Sequence, residues 1–167
     1  GDVINIPAGI IHAIGEGILL AEVQQNSNNT YRVYDYNRVD KNGKKRPLHI
    51  QKALDVIDFS GSIEYNKSGG TSVQTNDNYK VTKLVENSYF STELYHINGE
   101  VEEIADGSRF YIYLFIEGEA TICYGFRGCL NGNMKNNGHF SEKMNIRAGE
   151  SIFIPAFMGK YRISGNI

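Results

Sequence analysis

Four side chains among the first 32 residues are of types that carry out chemistry at a small-molecule site: His12, Glu22, Gln24 and Arg32. An imidazole can ligate a metal ion, a carboxylate can exchange a proton with a reacting group, and a guanidinium can stabilise negative charge on oxygen. Each also has an ordinary explanation, because a lone histidine is more often structural and carboxylates and arginines usually face solvent. The surrounding residues must decide between the two.

The residues before His12 predict a rigid turn. An alternating apolar run over residues 3–6 stops at Pro7, which cannot donate a hydrogen bond to a sheet ladder. Gly9 then permits a tight turn that most residues would resist. The next strand should begin near His12, so the imidazole is predicted at the mouth of a β-structure.

The candidate carboxylate and amides lie on one predicted strand, residues 18–25. Side chains alternate between the faces of a strand, so Glu22 and Gln24 share one face and apolar residues occupy the other. Gln24 and Gln25 are weaker candidates than Glu22. A strand with one polar face fits a barrel wall whose interior holds a site. Three further strands are predicted in this region, over residues 2–6, 11–14 and 30–36.

Two patterns carry a resemblance to known proteins. Residues 1–12 have the spacing Gly-x5-Pro-x-Gly-x2-His, which resembles the second signature of the cupin barrels. The run from Glu22 to Asp40, followed by a Gly43-Lys44 turn and Pro47-Leu48-His49, is similar to the type I phosphomannose isomerases, in particular their short bacterial form. The similarity is strong over about residues 1–60. Beyond residue 60, the sequence resembles only a generic second barrel.

The resemblance implies a zinc-dependent isomerase that interconverts mannose 6-phosphate and fructose 6-phosphate. His12 would be a metal ligand. Arg32 would be catalytic, stabilising the enediol intermediate or binding the phosphate of the hexose substrate. Glu22 would act in acid–base catalysis or hydrogen-bond the substrate, and Gln24 would bind the substrate. One competing interpretation is a non-catalytic cupin module for sugar binding or regulation. Another is that residues 80–167 form a purely structural or dimer-forming barrel.

The resemblance also places the remaining metal ligands upstream of Gly1. The chain is therefore interpreted as the C-terminal part of a longer protein, and alone it is expected to be inactive as an isomerase. The strands missing from the first barrel would leave an open edge, which favours pairing with another copy in a homodimer.

Later residues predict one helix, a linker and a second barrel. Apolar residues at 50, 53, 54 and 57 have helical spacing and predict a helix over residues 48–57, with Pro47 before it. We predict an all-β cupin architecture: a partial catalytic barrel with one helix (1–59), a linker (60–79) and a smaller barrel (80–167). The second barrel's strands are predicted over 80–86, 88–97, 109–116, 119–126 and 151–155, with a hairpin closed by Glu117-Gly118 and a long loop over 127–139.

One short sequence pattern occurs near both ends of the chain. Residues 149–156 repeat the Gly-acid-x4-Pro-Ala pattern of residues 1–8. The position that corresponds to His12 holds Lys160, and a protonated ammonium group cannot ligate a metal. The second barrel is therefore predicted to bind no metal. The other three histidines have no partners at ligand spacing and are interpreted as structural: His49, His96 and His139.

Charge and hydropathy exclude several classes of function. The 17 basic and 19 acidic residues give a net charge of −2, with no basic patch of the kind that binds nucleic acid. No apolar stretch among the given residues is long enough to span a bilayer, and none has the pattern of a signal peptide, so we expect no membrane partner. The two cysteines, Cys123 and Cys129, are too few for a disulfide framework and predict a cytoplasmic location.

Overall fold

The computed structural model describes residues 2–60, 69–127 and 139–167. The chain divides into two compact units. The first comprises Gly1–Gly69 with Val85–Thr92, and the second comprises Gly70–Leu84 with Glu93–Ile167. The elements are α1 (Ile50–Leu54), β1 (Thr71–Thr75), β2 (Tyr79–Glu86), β3 (Ser91–Ala105), β4 (Tyr111–Leu114), β5 (Glu119–Arg127), β6 (His139–Arg147), β7 (Ser151–Ile154) and β8 (Gly159–Asn166). The predicted all-β class with one short helix is confirmed.

Two antiparallel sheets enclose the core of the second unit. The larger has the order β1-β2-β3-β8-β5-β6, and the smaller pairs β4 with β7. Alternate residues of each strand point inward, so Tyr161 and Ile163 of β8 pack with Ile122 of β5 and Ile154 of β7, each at most 1% exposed. Burying an aliphatic side chain of this size stabilises a fold by about 1.5–3 kcal/mol.

The small sheet is in contact with the large one through a polar pair. The hydroxyls of Tyr113 on β4 and Tyr161 on β8 are 2.8 Å apart, and their rings meet edge to face. Burial raises the pKa of Tyr161 to about 12. Burial raises the pKa of Tyr113 as well, so both hydroxyls remain protonated at neutral pH and satisfy each other. Beside this pair, the ring of Tyr95 packs against Tyr113 and its hydroxyl donates to Glu103 at 3.1 Å.

The predicted hairpin at Glu117-Gly118 is wrong. β4 pairs with β7, whereas β5 pairs with β6 and β8, so the turn carries the chain from one sheet to the other. Gly118 has φ +70°, and a Cβ there would lie 2.4 Å from the carbonyl oxygen of Asn166. The glycine is needed for close approach to the end of β8, and a local Gly-based turn signal cannot distinguish this from a hairpin.

Three strands were not predicted. β1 lies in the predicted linker, and β6 and β8 lie in segments given no strand. β3 also continues to Ala105, well past the predicted end at residue 97. Residues 61–68 of the linker and 128–138 of the predicted loop lie outside the described residues. At the margins of that loop, Arg127 pairs with His139 across β5 and β6.

The four strands predicted within residues 2–36 are wrong. The described residues of this segment form no strand, and the bridges here are isolated ones, at Ile4 and between Val39 and Lys45. A strand requires a hydrogen-bonded neighbour, which alternation of side chains does not supply. The apolar face of residues 18–25 is correspondingly uncovered, with Leu19 100% exposed.

The predicted helix forms but is shorter than its apolar pattern. α1 begins after His49 and ends before Asp55. Beyond Leu54 the carbonyl of Ala53 accepts from both Val56 and Ile57, which closes the last turn. Of the apolar positions that predicted the helix, Ala53 is buried, while Ile50 and Leu54 are half-exposed.

Candidate active-site segment of the first unit

The turn before His12 forms as predicted. The N–H of Ile10 donates to the carbonyl of Pro7 at 3.4 Å, and Gly9 adopts φ +90°. A Cβ on Gly9 would lie 3.0 Å from the carbonyl oxygen of Val56. The glycine therefore serves both the turn and the close approach of the segment that follows α1.

His12 is held in one tautomer. Its Nδ1 lies 3.0 Å from the carbonyl oxygen of Ile10. A carbonyl can only accept, so Nδ1 carries the proton and Nε2 of the neutral ring keeps its lone pair. The ring is exposed. This is the arrangement that metal-binding histidines adopt, in which the second nitrogen is anchored by a backbone carbonyl.

The described residues do not complete a metal site around His12. Within residues 2–60, 69–127 and 139–167 there is no group of three histidine, cysteine, aspartate or glutamate side chains that could hold an ion. A catalytic zinc usually has three protein ligands and an open position. His12 can therefore serve as one zinc ligand. The described residues around it do not supply the further ligands that a zinc site needs.

Arg32 is anchored through its backbone by His49. The N–H of Arg32 donates to Nδ1 of His49 at 3.1 Å, and the N–H of His49 donates to the carbonyl of Arg32 at 2.7 Å. Tyr31 packs edge-on against the imidazole. The bond to Nδ1 places the histidine proton on Nε2. His49 therefore ties together two segments 17 residues apart.

A buried carboxylate lies beside Arg32, and sequence reasoning missed it. The side chain of Asp35 is 7% exposed and contacts three arginines: Arg32, Arg38 and Arg46. Hydrogen bonds from Arg46, with a further contribution from Arg38, lower the pKa of Asp35 to about 2. The signal available was an aspartate with arginines three residues before and after it.

The guanidinium of Arg32 keeps most of its donors. Its Nη1 donates to the carbonyl of Pro47 at 3.3 Å, and its Nε lies 3.9 Å from Oδ1 of Asp35. No other hydrogen bond to this guanidinium occurs within the described part of the chain. With 21% of its side chain exposed, Arg32 is not an ordinary surface arginine. Its remaining N–H groups are suited to an anionic oxygen.

Glu22 and Gln24 lie in solvent. Among the residues that the structure describes, neither makes a side-chain hydrogen bond, and the structure brings neither into contact with His12 or Arg32. Their roles in catalysis and substrate binding stay predictions.

The second copy of the repeat forms the same turn. The N–H of Met158 donates to the carbonyl of Pro155 at 3.1 Å, as Ile10 does to Pro7. Lys160 then enters β8, where its Nζ lies 2.5 Å from Oε2 of Glu102 and 5.1 Å from the centre of the Phe126 ring. Lys160 and Arg162 lower the pKa of Glu102. The lysine is thus engaged in an ion pair on the sheet.

The chain is similar to mannose-6-phosphate isomerases over its whole length. It is 30% identical to mannose-6-phosphate isomerase ManA of Bacillus subtilis, over 99% of this chain and 46% of the relative. It is 29% identical to the mannose-6-phosphate isomerase of Streptococcus mutans, over 100% of this chain and 46% of the relative. The chain spans about half the length of the curated relatives it matches. No family model matches it.

The structure supports the same relationship. The crystal structure of mannose 6-phosphate isomerase from Bacillus subtilis superposes with a TM-score of 0.63 at 28% identity, covering 81% of this chain and 37% of that one. The fold class is that of the cupins. The resemblance to mannose-6-phosphate isomerases, which the first 60 residues indicate most strongly, is confirmed and extends through the second unit.

Proposed function

We propose that this chain is the C-terminal part of a zinc-dependent isomerase that interconverts mannose 6-phosphate and fructose 6-phosphate. The observation that carries the proposal is the similarity of 99% of the chain to an isomerase of that name. Two groups of the candidate site also support the proposal. His12 is exposed and has Nε2 available, and the Arg32 guanidinium has unused hydrogen-bond donors.

In the proposed reaction, a proton moves between neighbouring carbons of the sugar through an enediol. Arg32 donates hydrogen bonds to the oxygen on which negative charge develops, and its anchored position means that little reorganisation is needed. Glu22 exchanges the proton, and Gln24 hydrogen-bonds the sugar. When bound, zinc would supply a Lewis acid that polarises the sugar oxygens. His12 would be the ligand that this chain contributes.

The proposal extends to location and assembly. We propose a cytoplasmic enzyme, because the sequence has only two cysteines, too few for a disulfide framework. Within the described residues no helix is long and apolar enough to cross a membrane. We propose a homodimer of this chain through the edge of the first barrel that its missing strands would leave open, since unpaired edges favour association. Sedimentation of the protein at several concentrations would measure it.

Replacing Arg32 tests the proposed function. In the full-length protein, Arg32→Ala should lower the isomerase kcat by about 10²–10³-fold, the usual effect of removing one preorganised donor. Arg109→Ala is the matched control, because Arg109 is an exposed arginine of the second unit. Coupled-enzyme assay of fructose 6-phosphate formation gives the rate, and circular dichroism checks folding. A folded Arg32→Ala variant with wild-type kcat would remove Arg32 from the mechanism.

The same assay distinguishes an isomerase from a non-catalytic cupin module. Absence of isomerase activity in the folded full-length protein with zinc, together with saturable binding of mannose 6-phosphate, would favour a sugar-binding cupin module. The isolated 167-residue chain is expected to be inactive and to bind zinc weakly, because its described residues offer His12 without a ligand cluster.

A further inference from the structure

Three guanidinium groups of the first unit converge on one carboxylate, that of Asp35. Arg46 binds it through two nitrogens, with Nε 2.8 Å from Oδ2 and Nη2 on Oδ1. Arg38 donates from Nη2 to Oδ1 at 2.7 Å. Arg32 is the third, with its Nε 3.9 Å from Oδ1. One negative charge cannot neutralise three positive ones, so the cluster keeps a net charge of +2.

The division of contacts among the arginines is unequal. Arg46 and Arg38 donate hydrogen bonds to Asp35. Both partners of each bond are charged, which makes these bonds stronger than neutral ones. Arg32 is near enough for electrostatic attraction but is not hydrogen-bonded to the carboxylate. The carboxylate of Asp35 therefore lies beside the Arg32 guanidinium without occupying its N–H groups.

Arg32 is fixed at three places. His49 holds its backbone, the carbonyl of Pro47 accepts from Nη1, and Asp35 attracts Nε. Two of these restraints come from the Pro47–His49 segment, and the third comes from a buried group. A charged donor fixed in this way is preorganised, and displacing such a group by about 1 Å can cost 10²-fold in rate.

From this geometry we infer that Asp35 is a positioning residue for Arg32 and that Arg38 and Arg46 hold Asp35 in place for that role. The inference rests on the proposed function, in which Arg32 acts on the substrate. Asp35 does not touch the substrate in this scheme. Since the pKa of Asp35 is lowered to about 2 by Arg46 and Arg38, its effect should not vary with pH above about 4.

A double-mutant cycle in the full-length protein tests the inference. Asp35→Asn keeps the shape of the side chain and removes its charge. It should lower kcat by about 10²-fold with a smaller change in KM. In the Arg32→Ala background the same substitution should cost little more, because the residue it positions is gone. Asp40→Asn is the matched control, since Asp40 accepts from the N–H groups of Asn42 and Lys44 in an exposed turn.

The outcomes separate the inference from the proposed function. Losses that multiply independently in the double variant would overturn the inference, because Asp35 would then act through folding and not through Arg32. A wild-type kcat for Arg32→Ala would instead defeat the proposed function. Should Asp35→Asn fail to fold, Arg38→Lys serves in its place, with a smaller loss expected that again vanishes in the Arg32→Ala background.

A spectroscopic readout is independent of activity. The Nε–H resonance of Arg32, assigned by its loss in Arg32→Ala, should shift in Asp35→Asn and stay unchanged in Asp40→Asn. An unmoved resonance in Asp35→Asn would overturn the inference whatever the kinetics show.

Discussion

The two copies of the Gly-acid-x4-Pro-Ala pattern share a turn and differ in their surroundings. In each, the proline carbonyl accepts from the N–H three residues later, at 3.4 Å from Ile10 and 3.1 Å from Met158. The residue five positions after the proline is an exposed His12 in the first copy and an ion-paired Lys160 in the second. The same local scaffold thus presents a group able to ligate a metal in one unit and a sheet contact in the other.

The apolar positions of the two copies differ in the same way. Ile154 of the second copy is 0% exposed within the core of the second unit, whereas the corresponding Ile6 is 43% exposed. The repeated pattern therefore specifies a turn, whereas burial and chemistry depend on what packs around it. Three experiments test this difference between the copies.

The largest expected effect is on metal affinity. In the proposed full-length isomerase, His12→Ala should weaken zinc binding by more than about 10²-fold, because even the loss of a residue that only hydrogen-bonds a metal ligand costs up to about that much. Lys160→Ala, at the corresponding position, should leave zinc binding unchanged. Competition with a chromophoric chelator measures both dissociation constants. Equal affinities in the His12→Ala variant and the parent would show that the first copy carries no ligand.

The next effect is on stability. Ile154→Ala should lower the free energy of unfolding of this chain by about 2–5 kcal/mol, since it leaves a cavity in the core. Ile6→Ala, at the corresponding position, should cost less than about 1 kcal/mol because the side chain is already half in water. Urea unfolding measures both. Similar costs in this chain would contradict the difference in burial, and a larger Ile6 cost in the full-length protein would show that another segment covers it.

The smallest effect is on the ion pair of the second copy. Lys160→Met should cost about 0.2–1 kcal/mol at neutral pH, because both partners are partly exposed and screened. The pKa of Glu102 is lowered from 4.5 by Lys160 and Arg162, so the pair contributes stability above pH 4.5 and loses it as the pH falls through the folded pKa. Urea unfolding at pH 7 and pH 3 should therefore show a smaller pH dependence in the variant. A pH dependence equal to that of the parent would mean that Lys160 does not stabilise the carboxylate.

Much of the fold could be predicted from local signals. The strands β2, β5 and β7 and the helix α1 lie where periodicity placed them. β6 and β8 were missed because their residues include charged and glycine positions, and their β structure depends on long-range pairing, as in the register of Lys160 with Ile104 and Arg162 with Cys123. The prediction for the Glu117-Gly118 turn is wrong for the same reason. Its glycine is required by the close approach of the Asn166 carbonyl, which lies far along the chain.

For the candidate site, the sequence is enough to predict the turn of Pro7 and Gly9 before His12, and the family resemblance is enough to single out Arg32. The groups that surround these residues could be found only from the fold. The His12 tautomer follows from one carbonyl contact, and the Asp35 cluster depends on Arg46, eleven residues away. A hydrogen bond or ion pair is a property of two groups in space, so a sequence can name the groups but the fold must bring them together.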